Sequence, residues 1–370
     1  MWAAARVSGA DRVRRTEVPV VQLMSATPLV AAAAPWAALA LRLARRRKAA
    51  LTAALAAGVL ALVVQPRRIA RPQPAAAGPK LRLLTFNAYF GLADAELIVE
   101  RVRQLDADVL LLQELTEDAV SRLKLAGLGD LLPYTQLELR GGSRGSGIYS
   151  RFPLREGPYV APTMMAQPSA LAELPGGRAV ELICVHPCSP GLRRFGGTAK
   201  WRAELAVLPP PGELPRVLAG DFNATLDHAA LRDVLRLGYA DAGRQAGQAL
   251  TPTWGLPGKN RGLLTLDHVL VDGSCAVLGY SVHDFPSSDH QAVYAEIQLR
   301  LPAAPAAAGR GQRRRLEEGR VAGEVQGVKR RPGRCVACRQ RGQVPFLLDQ
   351  LEHGRVVEGL GADVTGPRVR

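Results

Sequence analysis

Cysteine is scarce in this chain, five residues in 370, so no disulfide framework holds it together. Acidic residues are nearly missing from positions 1–79, which carry 2 Asp+Glu against 12 Lys+Arg. Charged residues, at 22%, are too many for a polytopic transporter, and a hydrophobic share of 47% excludes a wholly disordered chain. The formal charge of +15 is unevenly placed: +10 over residues 1–79, −2 over residues 80–300 and +7 over residues 301–370. A protein that reads nucleic acid carries its basic footprint on the binding domain, and the middle of this chain lacks one. The length allows one large domain or two ordinary ones.

What the first 79 residues do have is two uncharged runs. Val18 to Leu41 spans 24 residues, more than the ~20 that cross a bilayer core. Pro28 and Pro35 lie within it, and membrane helices tolerate proline. Ala49 to Pro66 adds 18. Arg42, Arg45, Arg46, Arg47 and Lys48 lie between them, as in a cytoplasmic turn. The expectation is an N-terminal segment at 1–17, transmembrane helices at about 18–41 and 49–66, and a stiff Pro/Arg/Ala-rich linker at 67–79. Arg45–Lys48 before an apolar run also resembles a signal-anchor, which sends the following domain out of the cytoplasm. The total count of flanking arginines (Arg12, Arg14, Arg15, Arg67, Arg68, Arg71) favours neither side. The alternative is a buried Ala-rich hairpin of a soluble protein. Residues 301–370 are rich in Gly, Arg and Pro and read as a disordered basic tail. Cys335 and Cys338 form a lone CxxC without the second pair that a zinc site needs.

Residues 80–300 read as a mixed α/β domain. Leu81–Asn87, Asp108–Glu114, Ser146–Ser150, Ala179–His186 and Arg216–Gly220 have the apolar runs of strands, with closing strands at Leu263–Val271, Val277–Val282 and Ala292–Leu299. Asp94 is placed to cap a helix carrying Leu97, Ile98, Val102 and Leu105, and Asp227 another carrying Leu231, Val234 and Leu235. Gly197 to Leu208 is also read as helical. Several adjacent strands have no helix between them, which predicts mixed sheets and not a simple doubly wound parallel sheet.

The polar residues fall where these strands end: Asn87, Glu114, His186, Asp221 with Asn223, Asp267 with His268, and Asp289 with His290. A buried ionisable group is costly unless it is paired or bound to a metal, so the recurrence calls for a common site. Carboxylates suit a hard divalent cation, amides and imidazoles suit phosphate oxygens, and a His/Asp pair suits proton transfer. Together they are the equipment of metal-assisted phosphoester hydrolysis.

The strings Leu-Thr-Phe-Asn87, Leu-Gln-Glu114, Gly-Ile-Tyr-Ser-Arg151, Val-His186-Pro, Gly-Asp221-Phe-Asn223-Ala, Thr-Trp254, Leu-Asp267-His268-Val and Ser288-Asp289-His290, in this order, resemble the endonuclease/exonuclease/phosphatase superfamily. That resemblance implies a four-layer sandwich, two mixed β-sheets faced by helices, with a Mg²⁺ or Mn²⁺ site at one end. It implies that Glu114, assisted by Asn87 and completed by Asp289, holds the metal. Asp221 would orient or deprotonate the attacking water, Asn223 hold the phosphate and His186 stabilise its developing charge. His290 would be the general acid/base or a phosphate contact, with Asp267 fixing its imidazole. The membrane hairpin narrows the likeness to the vancomycin- and teicoplanin-resistance proteins of the VanJ type. This implies a membrane lipid or lipid-linked phosphate such as undecaprenyl pyrophosphate as partner. Arg67, Arg68 and Arg71 would attract anionic head groups.

Other residues read as structural. His268 should face away from Asp267 along its strand. Trp254 reads as packing or pocket wall, Arg144 and Arg151 as solvated or ion-paired. His228 and His283 lie outside the motifs, and Cys184 and Cys188 read as packing. The competing functions are a nuclease or other phosphodiesterase of the same superfamily, disfavoured by the −2 charge of residues 80–300, and a non-catalytic lipid-binding protein of the envelope.

Overall fold

The computed structural model describes residues 1–12, 17–191, 197–255 and 262–301. The CxxC and nearly all of the expected basic tail lie outside them.

Four helices come first: α1 (Trp2–Ser8), α2 (Glu17–Ser25), α3 (Thr27–Leu43) and α4 (Arg47–Val64). Two sheets follow. The first is formed by β1 (Lys80–Asn87), β2 (Val109–Gln113), β3 (Tyr134–Glu138), β4 (Ser146–Ser150), β13 (Ala276–His283) and β14 (Ala292–Gln298). The second holds β5 (Leu154–Glu156), β6 (Ser169–Leu174), β7 (Arg178–Val185), β8 (Arg216–Asp221), β9 (Tyr239–Asp241) and β12 (Asp267–Asp272). A ribbon of β10 (Trp254–Gly255) and β11 (Gly262–Leu264) stands apart. Their orders are β13-β14-β1-β2-β4-β3 and β5-β6-β7-β8-β12-β9.

Among the described residues, only β1/β2 and β7/β8 pair in parallel. Each needs a helical crossover, supplied by α5 (Ala95–Gln104) and α8 (Gly197–Ala206). The remaining helices are α6 (Glu117–Leu125), α7 (Leu128–Leu131), α9 (Ala229–Arg236) and α10 (Ala242–Gln245).

Alternation along the central strands fills three cores. Leu81, Leu83, Val109 and Leu111 face Leu182, Val217 and Val269 between the sheets. Leu84, Phe86, Leu110 and Leu112 point the other way, onto Ile98 and Val102 of α5 and Leu123 of α6. Ile183, Val185, Leu218 and Leu270 point onto Trp201 and Leu205 of α8 and Leu231 and Val234 of α9. The result is the expected four-layer mixed α/β sandwich. The run expected as one strand at 263–271 is two, β11 and β12, and β3, β5, β6, β9 and β10 are additional to the expected strands.

The N-terminal expectations change more. The uncharged run 18–41 is not one helix. It is divided at Ala26 between α2 and α3, and Val21 and Met24 of α2 are buried, Val21 in the third core. α3 and α4 form the antiparallel hairpin, with Leu29, Trp36, Leu43, Leu51, Leu55 and Leu62 exposed, so it is not the buried hairpin of the alternative reading. Among the described residues one helix, Arg47–Arg68, is long and apolar enough to cross a membrane, and Thr27–Leu43 is shorter. Residues 67–79, expected as a linker, run along the domain: the Arg71 N–H donates to Gln245 O and the Gly78 N–H to Leu299 O.

Asp94 caps α5 as expected, accepting from the N–H groups of Glu96 and Leu97. Asp227 does not cap α9. Its carboxylate takes Arg6 and Arg67, and the first N–H of α9, on Ala229, donates to Asp11 Oδ2 at 2.6 Å. A cap from so far away leaves no local trace in the sequence.

Candidate active site

The parallel strands β1, β2, β7 and β8 all point their C-terminal ends to one edge of the sandwich, and the antiparallel β12 and β14 start there. Asn87 ends β1, Glu114 follows β2, His186 follows β7, Asp221 ends β8, Asp267 begins β12 opposite Asp221, and His290 precedes β14. This topology gathers residues that lie some 200 positions apart.

The backbone is shaped to aim them. Glu114 and Asn223 have positive φ, 55° and 49°. Asn tolerates this region, whereas for Glu it costs energy that the surrounding structure must supply. The turn swings the Glu114 carboxylate to the cluster. Gly220 has φ 151°, and a Cβ there would lie 2.0 Å from Val185 O. Only glycine lets β8 approach β7 closely enough to present Asp221.

The Asn87 side-chain N–H group donates to Glu114 Oε1 at 3.3 Å and Asp221 Oδ2 at 3.2 Å, while its Oδ1 accepts from the Tyr89 N–H. As placed, Asn87 bridges two carboxylates with its nitrogen, where the sequence reading had it as a metal ligand. Glu114 Oε2 accepts from the Phe90 N–H at 2.7 Å. Asp221 Oδ1 accepts from the Asn223 N–H at 2.7 Å. The Asn223 side-chain amide donates to Pro187 O and Asp221 Oδ2, so a phosphate oxygen would displace one of these contacts. His290 Nδ1 lies 2.9 Å from Asp267 Oδ2, and Nε2 lies 3.7 Å from Asp221 Oδ2. Ser288 locks this corner: its hydroxyl donates to Asn87 O and accepts from the His290 N–H.

Burial dominates the electrostatics. It raises Asp221 to about 7, with Asp267 adding and His290 opposing. Burial also raises Glu114. It would lower His290, but Asp267, Asp221 and Asp289 outweigh it and bring the imidazole up to about 10. His186 is held down to about 3 by burial and by His290, so it is neutral. A near-neutral carboxylate facing a protonated imidazole is a pair poised for proton transfer.

The donors fit a hard divalent cation. Buried oxygens without a partner remain at Asp267 Oδ1 and Asp289 Oδ1, and Glu114 and Asp221 carry charge that burial penalises. Among the described residues, the set whose ligand atoms lie within 4.8 Å of one another is Asp221, Asp267 and His290, residues that the sequence reading had as catalytic.

A cavity of about 440 Å³ opens over the cluster. Glu114, His186, Asp221, Asn223, Asp289 and His290 line its floor, while Phe90, Met165, Trp254, Leu264 and Leu266 form apolar walls. Trp254 also donates its Nε1–H to Asp289 Oδ2 at 3.1 Å, orienting that carboxylate.

Several other assignments are settled by contacts. His268 sits away from the cluster, with Nδ1 2.8 Å from Asp241 Oδ2 and Nε2 2.9 Å from Ala224 O. Arg151 pairs with Asp106 and Asp108, and Arg144 lines the cavity. His283 bonds Ser281. Cys184, Cys188 and Cys275 are buried free thiols. The sequence reading missed Phe90, whose N–H holds Glu114, and Gln22 and Ser25 of α2, which line the cavity. Nothing local marks Gln22 or Ser25, because their neighbours come from the far end of the chain.

The profile of the Endonuclease/Exonuclease/phosphatase family matches residues 84–290. The chain belongs to this family. It is a phosphoester hydrolase of the family's phosphatase/nuclease type. No curated protein matches it. Among solved structures it is similar to an endonuclease/exonuclease/phosphatase from Beutenbergia cavernae (21% identity, 61% of this chain, 73% of that one, TM-score 0.49). It is similar also to a humanized D. rerio TDP2 carrying 14 mutations (19% identity, 59% and 98%, TM-score 0.48). A third is a family protein from Bacteroides thetaiotaomicron (17% identity, 61% and 99%, TM-score 0.46).

Proposed function

We propose that the protein is a membrane-anchored, Mg²⁺-dependent phosphohydrolase acting on a lipid-linked phosphate such as undecaprenyl pyrophosphate, with α3 and α4 inserted and the domain outside the cytoplasm. One observation carries this reading: the catalytic cluster opens into a largely apolar cavity, one wall of which is α2, the helix that leads into the exposed apolar hairpin. An amphiphile whose phosphate lies at the bilayer surface fits such a cavity. A strand of nucleic acid would need basic tracks, and among the described residues Arg144 is the one arginine that lines the cavity.

The cavity floor carries Glu114, Asp221 and Asp289, which would repel a phosphate. Mg²⁺ would be held by Glu114 and Asp289 and would supply the charge neutralisation that both partners need. Mn²⁺ suits the same oxygens. Asp221 accepts the proton of the attacking water. His290, charged and oriented by Asp267, donates to the leaving oxygen or holds the phosphoryl oxygens. Neutral His186 and the Asn223 amide hydrogen-bond the phosphate as negative charge develops.

The test is phosphate release by the purified full chain from undecaprenyl pyrophosphate in vesicles, with Mg²⁺ and with chelator, beside the D221N variant and a plasmid DNA control. Mg²⁺-dependent release lost in D221N is expected. DNA nicking without phosphate release would replace the reading with a nuclease. Silence on both substrates would refute the lipid substrate and favour a binding role.

A further inference from the structure

The hairpin is tied to the domain by arginines from the chain on either side of it, Arg6 on α1 and Arg67 just after α4. Before it, Arg6 of α1 donates Nε–H to Asp227 Oδ1 at 2.5 Å and Nη2–H to Leu226 O at 3.1 Å. After it, Arg67 donates to Asp227 Oδ2 at 2.8 Å and Oδ1 at 2.5 Å. The Asp227 side chain is fully buried and both arginines are nearly so. Burial alone would raise this carboxyl, but Arg67 and Arg6 hold it below its usual range. A carboxylate that takes two arginines from either side of a membrane hairpin is costly to bury and gains nothing over an apolar core in stability alone. It does set geometry.

Three further contacts extend the joint to the cavity. His228, next to Asp227, accepts the Thr225 N–H on Nδ1 and so donates Nε2–H to Val21 O, at 2.8 Å. Val21 and Met24 are buried, and Trp2 donates Nε1–H to Thr27 Oγ1 at the root of α3. α2 is thereby held with Gln22 and Ser25 in the cavity wall.

We infer that Asp227 is a positioning residue which ties α1, before the hairpin, to the chain just after α4, so that the domain is mounted on the membrane in one orientation with the cavity rim at the lipid surface. The mount makes α2 a guide along which a membrane-embedded phosphate lipid enters while its apolar tail stays beside α3. The inference rests on the membrane reading above and goes beyond it: a flexible tether would concentrate the domain near lipid, whereas a mount aims it.

The experiment compares the full-length wild type with D227N in vesicles. Two probes are used, a long-chain polyprenyl pyrophosphate in the bilayer and a water-soluble short-chain prenyl pyrophosphate. D227N should lose about 10–100-fold in kcat/KM on the bilayer probe, as expected for a misplaced substrate, mostly through KM, and keep its rate on the soluble one. Equal losses on both probes, or none on either, overturn the inference. If D227N does not fold, R67M, which leaves the Arg6–Asp227 pair intact, is judged by the same two probes. Hydrogen exchange on the same samples separates this inference from the proposed function. In wild type α2 should exchange slowly, and in D227N fast, with β8 unchanged in both. Fast exchange of α2 in wild type overturns the mount whatever the substrate. Slow exchange in wild type that becomes fast in D227N, without lipid turnover, refutes the proposed substrate and upholds the mount.

Discussion

Replacing Asp221 by Asn should remove activity while making the metal-free protein more stable at neutral pH. Asp221 is buried, and its folded-state pKa of about 7 stands above its ordinary 3.8. A raised carboxyl stabilises the fold fully below the unfolded pKa, and that stability is lost as pH rises through the folded pKa. About three pKa units at about 1.4 kcal/mol each give a cost of about 4 kcal/mol above pH 7. Asn carries no charge and escapes it. The substitution has its own cost: its amide nitrogen would face the Asn87 and Asn223 side-chain nitrogens, now 3.2 and 3.3 Å from Oδ2. An unmade buried hydrogen bond costs about 1–3 kcal/mol. The net is a gain of about 1–3 kcal/mol at pH 8 without metal, which turns into a loss of about 1–3 kcal/mol toward pH 4, where the charge cost is gone and the unmade hydrogen bond remains. Turnover should fall by about 10²–10⁴-fold, the worth of a general base. Thermal unfolding of both proteins in detergent at pH 4 to 8, with chelator and then with Mg²⁺, checks the first part, and Mg²⁺ should shrink the difference. A D221N protein less stable than wild type at pH 8 in chelator would refute the electrostatic reasoning, and wild-type turnover would refute the assigned role.

E114Q should weaken Mg²⁺ binding by about 10–100-fold, read by calorimetric titration of the metal alone, with the fold retained. G220A should fail to fold or unfold at much lower temperature, because a Cβ 2.0 Å from Val185 O forces β8 off β7. The cost is about 3 kcal/mol or more, and soluble, wild-type-like melting would contradict it. H268A should destabilise by about 3–5 kcal/mol by leaving Asp241 buried and unpaired, yet leave kcat per folded molecule unchanged. A selective loss of kcat would place His268 in the chemistry.

Much of the sandwich was legible because its central strands are buried on both faces. Asp108–Glu114 and Arg216–Gly220 are continuous apolar runs, and their polar termini stand out against them. β6 and β9 were not legible: Ser169–Leu174 alternates small residues between the sheets with half-exposed positions, and Tyr239–Asp241 is three residues long. The site residues were recognisable as types at strand ends. The direction of the Asn87 amide was not, because it depends on the Tyr89 N–H and on carboxylates brought from two other strands.

The N-terminal region divides the two kinds of information most clearly. Absence of charge over Val18–Leu41 and Ala49–Pro66, and the cations between them, determine by themselves that this region forms apolar helices with a polar turn. Only the tertiary structure shows that Val21 packs into the core on the second sheet's outer face, which binds α2 to the domain and separates it from the exposed α3. Asp227 looks locally like a helix cap, and becomes the anchor of Arg6 and Arg67 only when the chain folds. Hydrophobic periodicity is written along the chain, since it depends on neighbours a few residues apart. A buried charge must find its counter-charge wherever the fold brings one, and those partners are 160 and 221 positions away.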